Sequence, residues 1–172
     1  VDYHRDGYEL DTLQFPHDKK AWYIHLIDEK VVAEASKVIK DSAPDMSWIY
    51  LEYTDDMGHR YGKSPQLDTA ISMLDKQIGS IMQAVHFREN KFNEEWLVII
   101  TTDHGRDALT GKNHGGQSDS ERNTWLIMNK KPAKEIVKTA IVDIFPTIAT
   151  YLNIKVPTPV AQALEGVSLL RK

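Results

Sequence analysis

Two largely apolar runs stand out along the chain, and each is followed by acidic, glycine and histidine residues. The first covers Trp48–Tyr53 and the second covers Trp96–Thr101. Runs of this length that are rich in β-branched and aromatic residues, without polar alternation, are typical of strands that are covered on both faces. A third run, Thr124–Met128, has the same character. We therefore predict three strands, of which the one over Trp96–Thr101 is expected to be buried.

Between these runs, apolar residues recur at the spacing of one helical face. Asp28 is expected to cap a helix whose apolar face includes Val32 and Ile39. Ser64, followed by Pro65, predicts the start of the longest helix. A last helix is predicted over Ile141–Leu152, with Pro146 near its first turn. Residues 1–24 show no clear period and are expected to be irregular or insert-like.

The order of these elements is helix, strand, helix, strand, long loop, strand and helix. This alternation predicts an α/β fold with a mostly parallel sheet flanked by helices, joined by right-handed crossovers. At 172 residues, with no repeat and no shift in composition, the chain is best interpreted as a single domain over residues 1–172. Residues 25–172 would form a partial domain in this interpretation.

Composition and charge exclude several classes of site. The net charge of −4 and the lack of any large Lys/Arg cluster argue against a nucleic-acid surface. The absence of cysteine excludes disulfides and thiolate metal sites. No apolar segment approaches the roughly 20 residues that a bilayer-spanning helix needs.

Two of the predicted strands end in clusters that contain both aspartate and histidine. The first cluster is Asp55-x-x-Gly58-His59-x-x-Gly62, and the second is Asp103-His104-Gly105. Alone, each signal is weak, and Asp103 would be interpreted as a helix cap or a turn residue. Two such clusters at equivalent strand ends are harder to attribute to chance, because ligands of open α/β sheets bind at that edge.

His114, between Asn113 and Gly115, adds a third element in the loop after the second cluster. Alone it would be interpreted as a solvated loop histidine, but its loop must begin and end at the same sheet edge. Histidines and aspartates without a sulfur ligand are the mixture expected for zinc, or with more oxygen ligands for manganese. The other histidines lack such a context and are expected to be surface or packing residues; they are His4, His17, His25 and His86.

With these residues, the chain resembles the alkaline phosphatase superfamily, and within it the type I phosphodiesterase/nucleotide pyrophosphatase branch. The resemblance spans about residues 26–170. It rests on three motifs, with a weaker match at Val142–Ala149; they are Asp55-Asp-Met-Gly-His59-Arg-Tyr-Gly62, Thr102-Asp103-His104-Gly105, and His114-Gly-Gly116 followed by Glu121.

The resemblance implies two divalent metals, zinc or else manganese. Asp55, His59 and His114 would hold one of them, and Asp103 with His104 would give two ligands to the other. It also implies that a Ser or Thr hydroxyl attacks phosphorus. Nothing upstream of Asp55 matches that nucleophile, so it is expected N-terminal to this chain, which alone is expected to be inactive.

The implied substrate is a small phosphorylated compound such as a nucleotide, and the family context suggests a periplasmic or extracellular location. Three alternatives stay open. The chain could be a non-catalytic metal-binding or structural domain. Within the superfamily, it could belong to a phosphoglycerate mutase-like enzyme or to a phosphoethanolamine transferase-like enzyme. The oligomeric state is left open by the sequence.

Overall fold

The structure is a computed structural model that describes residues 3–132 and 139–170. Helices dominate this part of the chain; in order they are α1 (Trp22–Ser42), α2 (Tyr53–Tyr61), α3 (Pro65–Phe92), α4 (Asp119–Arg122), α5 (Ile144–Tyr151) and α6 (Thr158–Ala163). The strands are β1 (Ile99–Thr101) and β2 (Leu126–Met128).

The chain divides into two compact units. The first is formed by the residues up to Glu94 together with Leu109–Asn113, and the second by Glu95–Ala108 and the residues from His114 onward. Helices α1, α2 and α3 belong to the first unit. Both strands and the three remaining helices belong to the second.

Helices α1, α2 and α3 enclose the core of the first unit, where the buried cluster consists of Ala21, Ile24, Tyr53, Met57 and Ala70. The predicted start of α3 is confirmed. Ser64 accepts a hydrogen bond from the Leu67 N–H at 3.3 Å, and Pro65 occupies the first turn, where no backbone donor is needed.

The prediction that Asp28 caps α1 is wrong. Helix α1 begins at Trp22, and Asp28 lies buried within it. The carboxylate before this helix is Asp18, which accepts hydrogen bonds from the N–H groups of Lys20 at 2.7 Å and Tyr23 at 2.9 Å. An aspartate can lie inside a helix when its carboxylate accepts hydrogen bonds from a distant segment. The carboxylate of Asp28 has such donors at the start of α2.

The predicted strand over Trp48–Tyr53 is also wrong. Residues 47–52 carry no regular secondary structure, and Tyr53 already opens α2. Trp48 is 79% exposed and Tyr50 is 60% exposed. Composition predicts a strand, but a strand also needs a neighbour to pair with, and among the described residues this segment belongs to no sheet.

The second unit contains the pair β1 and β2, which run antiparallel with Ile99 opposite Met128 and Thr101 opposite Leu126. The predicted parallel sheet is therefore not confirmed. A buried apolar run does not encode the direction of its neighbour. The loop between these strands contains only the short α4, rather than the long helix typical of a parallel crossover.

Asn129 extends this short ladder through its side chain. Its Oδ1 accepts from the Val98 N–H at 2.8 Å, and its Nδ2 donates to the Trp96 carbonyl at 2.9 Å. The Asn129 N–H donates to the Val98 carbonyl at 3.2 Å. The segment before β1 is thus held in register by one amide side chain.

Helix α5 confirms the helix predicted over Ile141–Leu152, with Pro146 in its first turn. It is not the last helix, because α6 follows it. Asp143, just before it, accepts hydrogen bonds from the N–H groups of Ala140 and Val167, each at 2.8 Å. The buried Thr147 hydroxyl accepts from the Leu169 N–H at 2.9 Å. Among the described helices, none is both long enough and apolar enough to cross a membrane.

Candidate metal-binding site

Helix α2 carries the first pair of predicted ligands. Asp55 and His59 are four residues apart, a spacing that places side chains on one helical face, and His59 Nε2 lies 3.3 Å from Asp55 Oδ2. A carboxylate and an imidazole in this arrangement can hold one ion from a single helix. The predicted pairing of these two residues is therefore present within the first unit.

The two glycines of this motif have different roles. Gly58 is buried inside α2 and makes no turn. Gly62 ends the helix with φ of 60°, and its N–H donates to the Gly58 carbonyl at 2.7 Å. A Cβ at position 62 would approach the Thr110 carbonyl oxygen to 2.2 Å, so only glycine fits there.

The second set of predicted ligands lies just after β1. Asp103 is exposed, whereas His104 is partly buried, and His104 Nε2 lies 3.6 Å from Asp103 Oδ1. His104 Nδ1 lies 2.9 Å from the Gly105 carbonyl oxygen. Because a carbonyl oxygen only accepts, this contact assigns the proton to Nδ1. Nε2 is then the nitrogen with a lone pair, as metal-ligating histidines require.

His114 stacks on His104 in the second unit. The ring centroids are 3.7 Å apart and the planes differ by 16°. Each imidazole offers a ligand nitrogen within 4.8 Å of the other. Imidazole nitrogens are donors that zinc accepts, so these two side chains have the chemistry of metal ligands.

Glu121 shapes the loop that carries His114. Its carboxylate accepts hydrogen bonds from the Gly116 N–H at 2.9 Å and from the Ser118 hydroxyl. These donors lower the pKa of Glu121, the Ser118 hydroxyl having the larger effect. Its carbonyl accepts from the Gly105 N–H at 2.8 Å. Glu121 therefore connects the His-Gly-Gly segment to the residues after β1.

The comparisons with known proteins agree with these motifs. The family model for type I phosphodiesterase / nucleotide pyrophosphatase matches residues 2–167. The chain belongs to this family. The predicted resemblance is therefore confirmed, and the family supports the coarser prediction of an α/β fold.

Two curated relatives of this family member come from a fungus and a snake. The GPI ethanolamine phosphate transferase 2 of Schizosaccharomyces pombe is 29% identical over 64% of this chain and 17% of its own length. The venom phosphodiesterase of Naja atra is 29% identical over 41% of this chain and 8% of its own length. The chain thus spans less than a fifth of each. No solved structure is significantly similar to it.

Each of the two units carries part of the predicted ligand set of this family member. Asp55 and His59 lie together in the first unit, and Asp103, His104 and His114 lie together in the second. Sequence reasoning missed how Asp28 contacts α2, since an acid inside a helical pattern carries no signal of a distant partner. Glu121 was part of the motif, but no role was assigned to it.

Proposed function

We propose that this chain carries the metal ligands of an enzyme that hydrolyses phosphoric esters, most directly phosphodiesters or nucleotide pyrophosphates. The ligands would be Asp55, His59, Asp103, His104 and His114, and the ions would be two divalent metals, zinc or else manganese. The observation that carries the proposal is the stacked pair of His104 and His114 beside Asp103.

The donor chemistry supports a metal that accepts nitrogen and oxygen. Nδ1 of His104 lies 2.9 Å from the Gly105 carbonyl oxygen, a contact that favours the tautomer in which Nε2 carries the lone pair. The i, i+4 pair on α2 supplies a further carboxylate and imidazole. Bound divalent cations in such enzymes stabilise the negative charge that develops on the transferred phosphoryl group.

The nucleophile is proposed to come from outside residues 1–172. Thr12 follows no strand in the described residues, and no other Ser or Thr upstream of Asp55 matches the family pattern. Because the chain spans 17% and 8% of the two relatives, the activity is proposed for the whole polypeptide that contains it. The chain alone is expected to bind metal without turnover.

Phosphoethanolamine transfer is a second candidate. The observation that favours it is the relative named a GPI ethanolamine phosphate transferase, which matches more of this chain than the venom phosphodiesterase does. Hydrolysis and transfer differ in the acceptor of the phosphoryl group, which is water in one and an alcohol in the other. The products formed with and without an added alcohol acceptor would separate them.

The test is turnover of bis(p-nitrophenyl) phosphate by the whole natural polypeptide in the presence of zinc. Asp103→Asn and His104→Ala should each lower kcat/KM at least about 100-fold, since even outer partners of metal ligands typically contribute 10- to 100-fold. His86→Ala is the matched control, because His86 is an exposed histidine on α3 outside either ligand group.

Turnover that survives both ligand substitutions at the level of the His86→Ala control would contradict the proposal. Zinc binding without hydrolysis of a phosphodiester, a phosphomonoester or a nucleotide pyrophosphate would favour the non-catalytic alternative. Zinc-dependent turnover by residues 1–172 alone would contradict the placement of the nucleophile outside them.

A further inference from the structure

A buried carboxylate on α1 holds the start of α2. Asp28 is 2% exposed. Its Oδ2 accepts a hydrogen bond from the Tyr53 N–H at 2.9 Å, and its Oδ1 accepts from the Glu52 N–H at 3.0 Å. The Glu52 N–H also lies 3.2 Å from Oδ2. Asp28 thus receives two consecutive backbone donors from a segment 24 and 25 residues further along the chain.

No side chain of α2 itself accepts a capping hydrogen bond from these N–H groups. The residue before the helix, Glu52, makes no side-chain capping hydrogen bond. Helices leave their first N–H groups without partners inside the helix, and a carboxylate there is also favoured by the helix dipole. Asp28 therefore acts as the cap of α2 from a neighbouring helix.

The cap is close in sequence to the proposed ligands of α2. Asp55 follows Tyr53 by two residues, and His59 lies one turn further on, in a helix of only nine residues. In so short a helix, a shift of the first turn moves every side chain on its surface. The contacts of Asp28 are made to backbone N–H groups, so any effect on the ligands passes through the helix itself.

Apolar packing holds α2 independently of this cap. The Tyr53 ring lies 5.1 Å from the His25 ring and 6.1 Å from the Trp22 ring, measured between centroids. Tyr53 and Met57 are buried in the core of the first unit. Substitution of Asp28 should therefore leave α2 docked on α1 while removing what fixes the direction of its first turn.

We propose that Asp28 is a positioning residue, which fixes Asp55 and His59 for metal binding by holding the N–H groups of Glu52 and Tyr53. This inference rests on the proposed function, because it takes Asp55 and His59 as metal ligands. It assigns to α1 a role in the site beyond packing. Asp28 is not expected to contact the metal.

The test is the dissociation constant of Zn²⁺ for the chain, measured by calorimetry. Asp28→Ala should weaken binding about 10- to 100-fold, the range typical of residues that orient metal ligands. Asp28→Asn keeps the size of the side chain and one acceptor oxygen, so its loss should be smaller. If the alanine variant does not fold, the asparagine variant carries the test.

Ile39→Ala is the matched control for lost stability. Ile39 is also buried on α1 but lies near its C-terminal end. Its substitution should lower the melting temperature without changing zinc affinity. The visible absorption of bound Co²⁺ gives a second readout, which Asp28→Ala should change and Ile39→Ala should leave as in the wild type.

A double-mutant cycle separates the possible failures. In a chain with both Asp55→Ala and His59→Ala, adding Asp28→Ala should change the zinc affinity less than about two-fold. Equal zinc affinities for wild type and Asp28→Ala, or equal losses for Asp28→Ala and Ile39→Ala, would overturn the positioning role alone. If Asp55→Ala and His59→Ala themselves leave zinc affinity unchanged, the ligand assignment of the proposed function fails as well.

Discussion

Gly105 lies where two backbone segments meet too closely for any side chain. A Cβ at this position would approach the carbonyl oxygens of Ser120 and Asn123 to 2.0 Å and 2.7 Å. The glycine of the Asp-His-Gly motif therefore lets the region of α4 pack against the residues that follow β1. Gly105 allows the two backbone segments to approach each other closely. This contact supports His104, which precedes Gly105, and His114, which precedes α4.

Gly105→Ala should lower the free energy of unfolding of the second unit by about 1–3 kcal/mol or more, the usual cost of forcing extra atoms into a packed site. Gly79→Ala is the matched control, because a Cβ at this helical position meets nothing within 4 Å. It should raise stability by about 0.5–1 kcal/mol, since glycine is a poor helix former. Urea unfolding monitored by circular dichroism measures both, and a neutral Gly105→Ala would contradict this account.

The residue types of the candidate site could be predicted from the sequence, but the hydrogen bonds of their side chains could not. Asp103 and His104 were predicted as ligands because they follow an apolar run, and His114 because it lies beside glycines in the loop that follows them. The sequence could not show that His104 Nδ1 contacts the Gly105 carbonyl. That detail depends on side-chain rotation, for which local sequence carries no signal.

At the scale of elements, the contact between α1 and α2 shows how far a local pattern can mislead. Asp28 was predicted to cap the helix that follows it, and it instead caps α2 from inside α1. The residue type correctly indicated a capping function. The helix that it serves is set by tertiary contact, and the partner lies 25 residues away.

The burial of this cap predicts a pH dependence of stability. Burial raises the pKa of Asp28 to about 6, although the N–H groups of Tyr53 and Glu52 pull it down. A pKa raised by folding means that the unfolded chain loses this proton first as the pH rises. The protonated Asp28 carboxyl therefore stabilises the fold fully below the pKa that Asp28 has in the unfolded chain. This contribution to the unfolding free energy is lost as the pH rises through about 6.

Between pH 4 and pH 7 the wild-type chain should lose about 2 kcal/mol more unfolding free energy than Asp28→Asn, which cannot titrate. Urea unfolding with EDTA present measures this difference, and the subtraction cancels the other titrating groups. Parallel pH profiles for the two proteins would show that the Asp28 carboxyl has an ordinary pKa.

The strands were the least predictable elements. Trp96–Thr101 and Thr124–Met128 contain β1 and β2, but only three residues of each pair regularly. Trp48–Tyr53 has the same composition and forms no strand among the described residues. Helices α1, α3 and α5 were predicted from their local apolar spacing, whereas α2, α4 and α6 were not. A strand and its orientation depend on a neighbour distant in sequence.

For the whole molecule, the motifs predicted the family from a small part of the chain. The family match extends over residues 2–167, yet the prediction depended mainly on the residues around Asp55, Asp103 and His114. The chain divides into two compact units, and each carries part of the predicted ligand set. The prediction of one domain over residues 1–172 stays a prediction.

The central claim is that this set of aspartates and histidines binds a divalent metal, and zinc-dependent thermal stability tests it most directly. Zinc at about 100 times its dissociation constant should stabilise the chain by about 2.7 kcal/mol, which corresponds to a rise in Tm of about 5–10 °C. His114→Ala should lose most of this rise, and His86→Ala should keep it. If zinc leaves the wild-type Tm unchanged, or raises it equally in His114→Ala, the claim is contradicted.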